Sequence, residues 1–211
     1  MEQVSANMAV RQNRAPTGMQ SRRVCARYSG AVCKGVSARG NEAGNMAEAY
    51  IRPDWDAYFM EVCRSVAKRA TCERGRSGCV IARENRILVT GYVGSPPGLP
   101  HCDDAGHQLK RMIHEDGSVS WHCVRTVHAE QNAICQAAKN GIALDGATLY
   151  CKMTPCRTCA MLVISCGIRR VVCEKRYHDS ADSLAAFAVA GVELVHLSGE
   201  VQQYENMQAQ R

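Results

Sequence analysis

Apolar and polar positions change period several times along this chain of 211 residues. Across residues 54–70, Trp55, Tyr58, Phe59, Val62, Cys63 and Val66 recur at helical spacing, and Pro53 suits the first turn of that helix. Two β-rich runs follow, "GCVIAREN" and "RILVTGYVG", which the Glu84-Asn85 pair turns into a hairpin. The pattern dissolves from Leu99 to about Arg125 into a polar stretch rich in His, Asp and Gly. A loop that long inside a compact domain is usually functional or held by something. Order returns with a helix over 128–139, a strand "ATLYCKM", a helix "CRTCAMLVISCG" and a strand "RRVVCEK". A helix "SADSLAAFAVAG" and a strand "VELVHL" follow. Strands alternating with short helices predict an α/β sandwich around a mixed sheet, with no internal repeat.

The ends behave differently. Residues 1–45 have neither period and are scattered with Gly, Ser, Ala and Arg, which predicts a disordered or loosely attached segment. One account is that functional protein starts at Met46 and the preceding segment is a non-native extension; an Arg-rich transit peptide is the other. The body then spans 46–197, and residues 198–211 form a polar tail.

Composition narrows the class. Charge first suggests a basic partner surface, because the chain carries a formal +6. Residues 1–45 hold seven basic and two acidic residues, so +5 of the excess sits there and the body is nearly neutral. That argues against a nucleic-acid-binding face. No apolar run approaches the roughly 18 to 20 residues that span a bilayer. Thirteen cysteines, an odd number without an obvious secretory signal, point to thiols in a reducing, cytoplasmic setting: buried, catalytic or metal-bound.

One combination carries chemistry. "VHAEQNAI" places His128 and Glu130 two residues apart at a helix start, which alone is most often an ordinary helix opening. Past Glu130, 24 residues of helix and strand lead to "PCRTC", where Pro155 opens the next helix and Cys156 and Cys159 share one face of its first turn. A lone Cys-x-x-Cys is ambiguous between zinc, redox chemistry and packing. Together, two thiolates and an imidazole make a three-ligand zinc site with its fourth position open to water, the catalytic form. Zinc brings the pKa of bound water to about 7, and Glu130 stands where a proton shuttle is needed. This is the signature of zinc deaminases that act on nucleobases.

Residues 53–197 resemble the cytidine deaminase superfamily, and specifically the deoxycytidylate (dCMP) deaminases. The matching stretches are "GCVIARENRILVTGYVGSPPG", "HCDDAGH", "VHAEQNAI", "GATLYCKMTPCRTCAMLVISCGI" and "RRVVCEKRYHD". The resemblance implies a three-layer α/β sandwich with a five-stranded mixed sheet, and hydrolysis of dCMP to dUMP with ammonia release. It also implies a homo-oligomer, dimer or hexamer, with dCTP and dTTP as effectors and Mg accompanying the effector. By position, His128, Cys156 and Cys159 bind the catalytic zinc and Glu130 carries protons. The Ala129 N–H and the Thr154 carbonyl hold the pyrimidine edge, and Tyr177 lies near the substrate. A second, structural zinc would take Cys72, Cys102, His107 and Cys123, with His101 and His122 as alternatives, and would hold the long polar loop.

One departure bears on substrate. Relatives commonly carry an asparagine in the hairpin that helps bind the sugar; here the stretch is "GYVG", with Val93 at that position. Valine offers packing and no side-chain hydrogen bond, so altered sugar or phosphate selectivity is one expectation. Arg74, Arg76 and Arg125 flank the site and are candidate phosphate ligands, and Lys139 is a weaker candidate at an effector or subunit contact. Competing readings are a deaminase of CMP, modified dCMP, a free nucleoside or tRNA adenosine, and a non-catalytic zinc-binding module in which Glu130 has no role.

Overall fold

The computed structural model describes residues 50–113, 117 and 119–202; the extension at 1–45 and residues 203–211 of the tail lie outside the described residues. In chain order the elements begin with α1 (Trp55–Ala67), a 3-10 turn (Glu73–Gly75), β1 (Gly78–Arg83), β2 (Arg86–Tyr92), α2 (Cys102–Ala105), β3 (Leu109–Ile113) and β4 (Val119–Cys123). They continue with α3 (Ala129–Lys139), β5 (Thr148–Met153), α4 (Arg157–Ser165), β6 (Arg170–Tyr177), α5 (Ala181–Ala190), β7 (Glu193–His196) and β8 (Val201–Gln202).

The main sheet runs β2-β1-β5-β6-β7, with β8 added on β6. β1 pairs antiparallel with β2 and with β5, whereas β5–β6 and β6–β7 are parallel, so the sheet is mixed as expected. At the hairpin tip Glu84 and Asn85 both take positive φ, 52° and 60°, the backbone a two-residue type I′ turn demands.

Side chains alternate across this sheet and fill two separate cores. On one face Val80, Ala82, Tyr150 and Val172 meet Phe59, Met60 and Cys63 of α1. On the other, Cys79, Ile81, Leu149, Cys151, Val171 and Cys173 meet Ala129, Ala133 and Ala137 of α3, Ala160 and Val163 of α4, and Phe187 of α5. Helices on both faces make the three layers.

Three expectations need correction. The first helix starts one step later than expected, because the Asp54 carboxylate caps it by accepting the Ala57 N–H at 2.8 Å, so Pro53 stands before the cap rather than in the first turn. Its buried residues are Phe59, Met60 and Cys63, while Trp55 and Tyr58 are exposed. The polar stretch 99–125 is not one loop: it holds the short α2 and the antiparallel β3–β4 hairpin. Those two strands form a sheet of their own, and β3 is almost wholly exposed, so no apolar alternation marks it. Within the polar tail, β8 pairs with Arg176 and Tyr177, extending order past residue 197.

Candidate active site and metal centres

Two helix starts converge on one cavity. His128 occupies the N-cap position of α3, and its backbone N–H donates to the Gln131 side chain at 3.0 Å, fixing that first turn. Cys156 caps α4, and its carbonyl accepts the Ala160 N–H at 2.8 Å. The Nδ1 of His128 lies 3.5 Å from Cys156 Sγ and 3.4 Å from Cys159 Sγ. All three ligand atoms lie within 4.8 Å of one another. Tetrahedral zinc with ordinary Zn–N and Zn–S bonds separates such atoms by about 3.6 Å, so the donor set fits a zinc ion in both chemistry and spacing.

The electrostatics agree with that fit. A hydrogen bond from Cys159, aided by the His128 imidazole, pulls the Cys156 thiol down to about 4, and the shared proton pushes Cys159 up in return. The bond to Cys156 raises His128 to about 9. A thiolate is therefore favoured at this corner even before a cation arrives. Glu130, only 7% exposed, has its Oε2 3.9 Å from Cys159 Sγ. Burial raises its pKa, with the His128 charge opposing, which moves a carboxyl toward the range where it can both take and give a proton.

The cavity over these groups encloses about 650 Å³. Val93, Ala129, Glu130, Thr154 and Tyr177, all expected near the substrate, line it. Val93 is buried against Ala70, Cys72 and Cys102. Of the three arginines, Arg74 alone borders this space. Its Nη2 donates to the Trp121 carbonyl, while Nη1 is buried with no hydrogen-bond partner among the described residues. Arg76 is engaged elsewhere, with Asp103 at 3.1 Å and the Ala70 carbonyl at 2.5 Å, and Arg125 Nε donates to the Gly106 carbonyl at 3.0 Å. Lys139 sits exposed at the opposite end of α3 from His128. Ser120, Trp121, His178 and Asp179 also line the cavity and were not singled out in the sequence, and His122, named there only as an alternative zinc ligand, lines it too. A hairpin without apolar alternation gave no signal for the first two.

A second cluster closes the neighbouring segment. Cys72, Cys102, His107 and Cys123 bring four ligand atoms within 4.8 Å of one another. Cys72 Sγ lies 3.8 Å from His107 Nδ1 and Cys102 Sγ 3.5 Å from Cys123 Sγ, again the edges of a zinc tetrahedron. His107 Nε2 faces Glu73 Oε1 at 3.6 Å, the outer carboxylate that commonly orients a ligating imidazole. The two alternatives are not in this group: His122 Nε2 lies 2.8 Å from Ser120 Oγ, and His101 is not among the four.

Residues 53–175 match the family described as the cytidine and deoxycytidylate deaminase zinc-binding region. The deoxycytidylate deaminase of Schizosaccharomyces pombe is 36% identical over 143 residues, 68% of this chain and 44% of that protein. The human deoxycytidylate deaminase is 35% identical over 144 residues, 66% of this chain and 77% of its own. A dCMP deaminase of the cyanophage S-TIM5, solved in complex with dCMP and dUMP, superposes with a TM-score of 0.55 at 25% identity, covering 70% of this chain and 100% of that one. The chain thus spans less than half the length of the yeast relative it matches. With the motif, the fold and the paired helix starts in agreement, the chain belongs to the cytidine and deoxycytidylate deaminase family.

Proposed function

We propose that this protein is a zinc-dependent deaminase that converts dCMP to dUMP and releases ammonia. The observation that carries this reading is the meeting of His128, Cys156 and Cys159 with the buried Glu130 at the floor of one cavity. His128, Cys156 and Cys159 would hold the zinc, which supplies a water nucleophile at neutral pH. Glu130 takes a proton of the attacking water at its carboxylate and passes it to the ring N3 of cytosine, then takes the proton of the new C4 hydroxyl and gives it to the departing amine, so that neither a ring anion nor an amide ion has to form. The Ala129 N–H and the Thr154 carbonyl hold the polar edge of the pyrimidine, and Tyr177 walls the ring. Arg74 receives the 5′-phosphate, since its unpartnered buried Nη1 is a donor in need of an acceptor.

Around this site, Cys72, Cys102, His107 and Cys123 would hold a structural zinc that ties α2 and the β3–β4 hairpin to the body. The deaminase domain occupies 46–197, with β8 reinforcing its edge. Assembly into a homo-oligomer answering to dCTP and dTTP with Mg rests on family membership alone.

Ammonia release tests the reading. The full chain, loaded with zinc, is assayed against dCMP, CMP, deoxycytidine, dCTP and adenosine. dCMP is expected to give the highest kcat/KM, and failure to turn over any cytosine nucleotide would sink the proposal. Val93→Asn in the same panel asks whether the apolar wall sets sugar preference; an unchanged ranking removes Val93 from specificity.

A further inference from the structure

Thr154 is 1% exposed, so its hydroxyl has no water to satisfy it. That oxygen accepts the Tyr177 N–H at 3.3 Å, which leaves the hydroxyl proton needing an acceptor of its own. The group within reach is the Nε2 of His196, 3.0 Å away on the edge strand β7. With Thr154 as the donor, His196 would carry its proton on Nδ1. Burial, reinforced by the Arg176 guanidinium, holds its pKa below the usual value, so the ring is neutral at pH 7 and free to accept.

The bond joins three strands at the point where the cavity is walled. Thr154 directly follows β5 and precedes Pro155 and Cys156, and its backbone N–H donates to the Lys175 carbonyl at 3.2 Å. Tyr177 ends β6, and both Thr154 and Tyr177 line the cavity, whereas His196 does not. His196 is not among the residues that line the cavity; it stands one hydrogen bond behind Thr154, whose oxygen also accepts the Tyr177 N–H.

We infer that His196 is a positioning residue for pyrimidine recognition: from beneath the cavity it accepts the Thr154 hydroxyl and thereby fixes Thr154 and Tyr177 at the spacing the base requires. The inference rests on the deaminase reading above. Removing the acceptor strands a buried donor, so the two walls relax apart while the zinc ligands, held by α3 and α4, stay in place.

The test uses zinc-loaded full-length protein. His196→Leu is expected to raise KM for dCMP roughly tenfold while kcat changes by less than about threefold, the signature of lost ground-state positioning. His196→Gln, whose amide oxygen can accept in the same place, should restore KM to within about twofold. Thr154→Val should resemble His196→Leu, and the double variant should be no worse than either alone. A loss of kcat at unchanged KM, or an equal defect in His196→Gln, would mean that the ring is merely packing and would overturn the inference. Nitrogen NMR of the histidine rings gives an arm independent of turnover: His196 should show protonated Nδ1 and acceptor Nε2, and a protonated Nε2 overturns the inference. Wild-type protein inert toward every cytosine nucleotide would instead discard the deaminase reading, leaving the hydrogen bond to be judged by the NMR result.

Discussion

Arg170 grips Asp56 with both arms: Nη1 to Oδ1 at 2.7 Å and Nη2 to Oδ2 at 2.8 Å. The pair ties the first turn of α1 to the start of the interior strand β6, and Tyr150 adds a hydroxyl to the same carboxylate at 3.0 Å. Each side chain is 27% exposed, and the Arg170 bond holds the Asp56 carboxyl below its ordinary value despite opposing burial. Asp56→Asn is expected to cost about 1–2 kcal/mol, measured by urea denaturation at pH 7. A folded-state pKa below that of the unfolded chain stabilises above about pH 4 and fades as pH falls through the folded value. The wild-type advantage should therefore be constant from pH 7 to 5 and shrink below 4. A difference that grows on acidification contradicts the assignment.

Glu130 is buried, with Cys159 Sγ 3.9 Å from its Oε2. Glu130→Gln keeps the shape and removes the proton carrier. Turnover should fall by about 10²–10⁴-fold with zinc content unchanged, and thermal stability should hold or rise, because a buried ionisable group is gone. Activity near wild type would move the shuttle elsewhere and favour a binding module.

Cys102→Ser removes one corner of the second cluster while leaving the first untouched. Metal analysis should drop from two zinc ions per chain to one, and proteases should cut within 99–125 at least roughly tenfold faster, since that segment has little apolar core to hold it. Its buried contacts are chiefly the cluster's own residues with Ala70 and Val93. A wild-type protein with one zinc per chain would dismiss the second site.

Arg74→Gln separates phosphate from base recognition. kcat/KM for dCMP should fall by about 10–100-fold while that for deoxycytidine, which has no phosphate, stays level. Equal losses on both substrates would assign Arg74 to holding the Trp121 carbonyl and the β4 wall instead.

How far the sequence reaches depends on the range over which each feature is encoded. His128, Glu130, Cys156 and Cys159 are legible because ligand spacing is local to two helix starts, and the fold supplies only their meeting. The main-sheet strands are legible because their alternation is enforced by two cores. The β3–β4 hairpin is not, since its strands bury little and carry no apolar face that would mark them. Arg74 and Arg76 look alike in sequence; only tertiary structure turns one into the cavity and the other toward Asp103. His196 is a lone histidine on a strand, and its partner lies 42 residues away.

Gly91 is the position where backbone packing reaches the chemistry most directly. A Cβ added there would stand 2.4 Å from the Ala129 carbonyl oxygen, 2.4 Å from the Ala133 nitrogen and 2.9 Å from the Ala133 Cα. Those are helix backbone atoms, so no rotamer change can relieve the clash, and α3 has to move away from β2. The turn that moves carries His128 and Glu130, which face Cys156 and Cys159 at the start of the other helix. Gly91→Ala is expected to lose about 1–3 kcal/mol of stability through overpacking. It should also lose about 10²-fold in kcat/KM, the cost of displacing reacting groups by an ångström or so. Gly199, where an added Cβ meets nothing and φ is not positive, serves as the control: Gly199→Ala should leave both measurements unchanged. If Gly91→Ala is destabilised yet fully active with zinc bound, α3 is able to shift without disturbing its first turn, and the β2–α3 contact is packing without a share in holding the site.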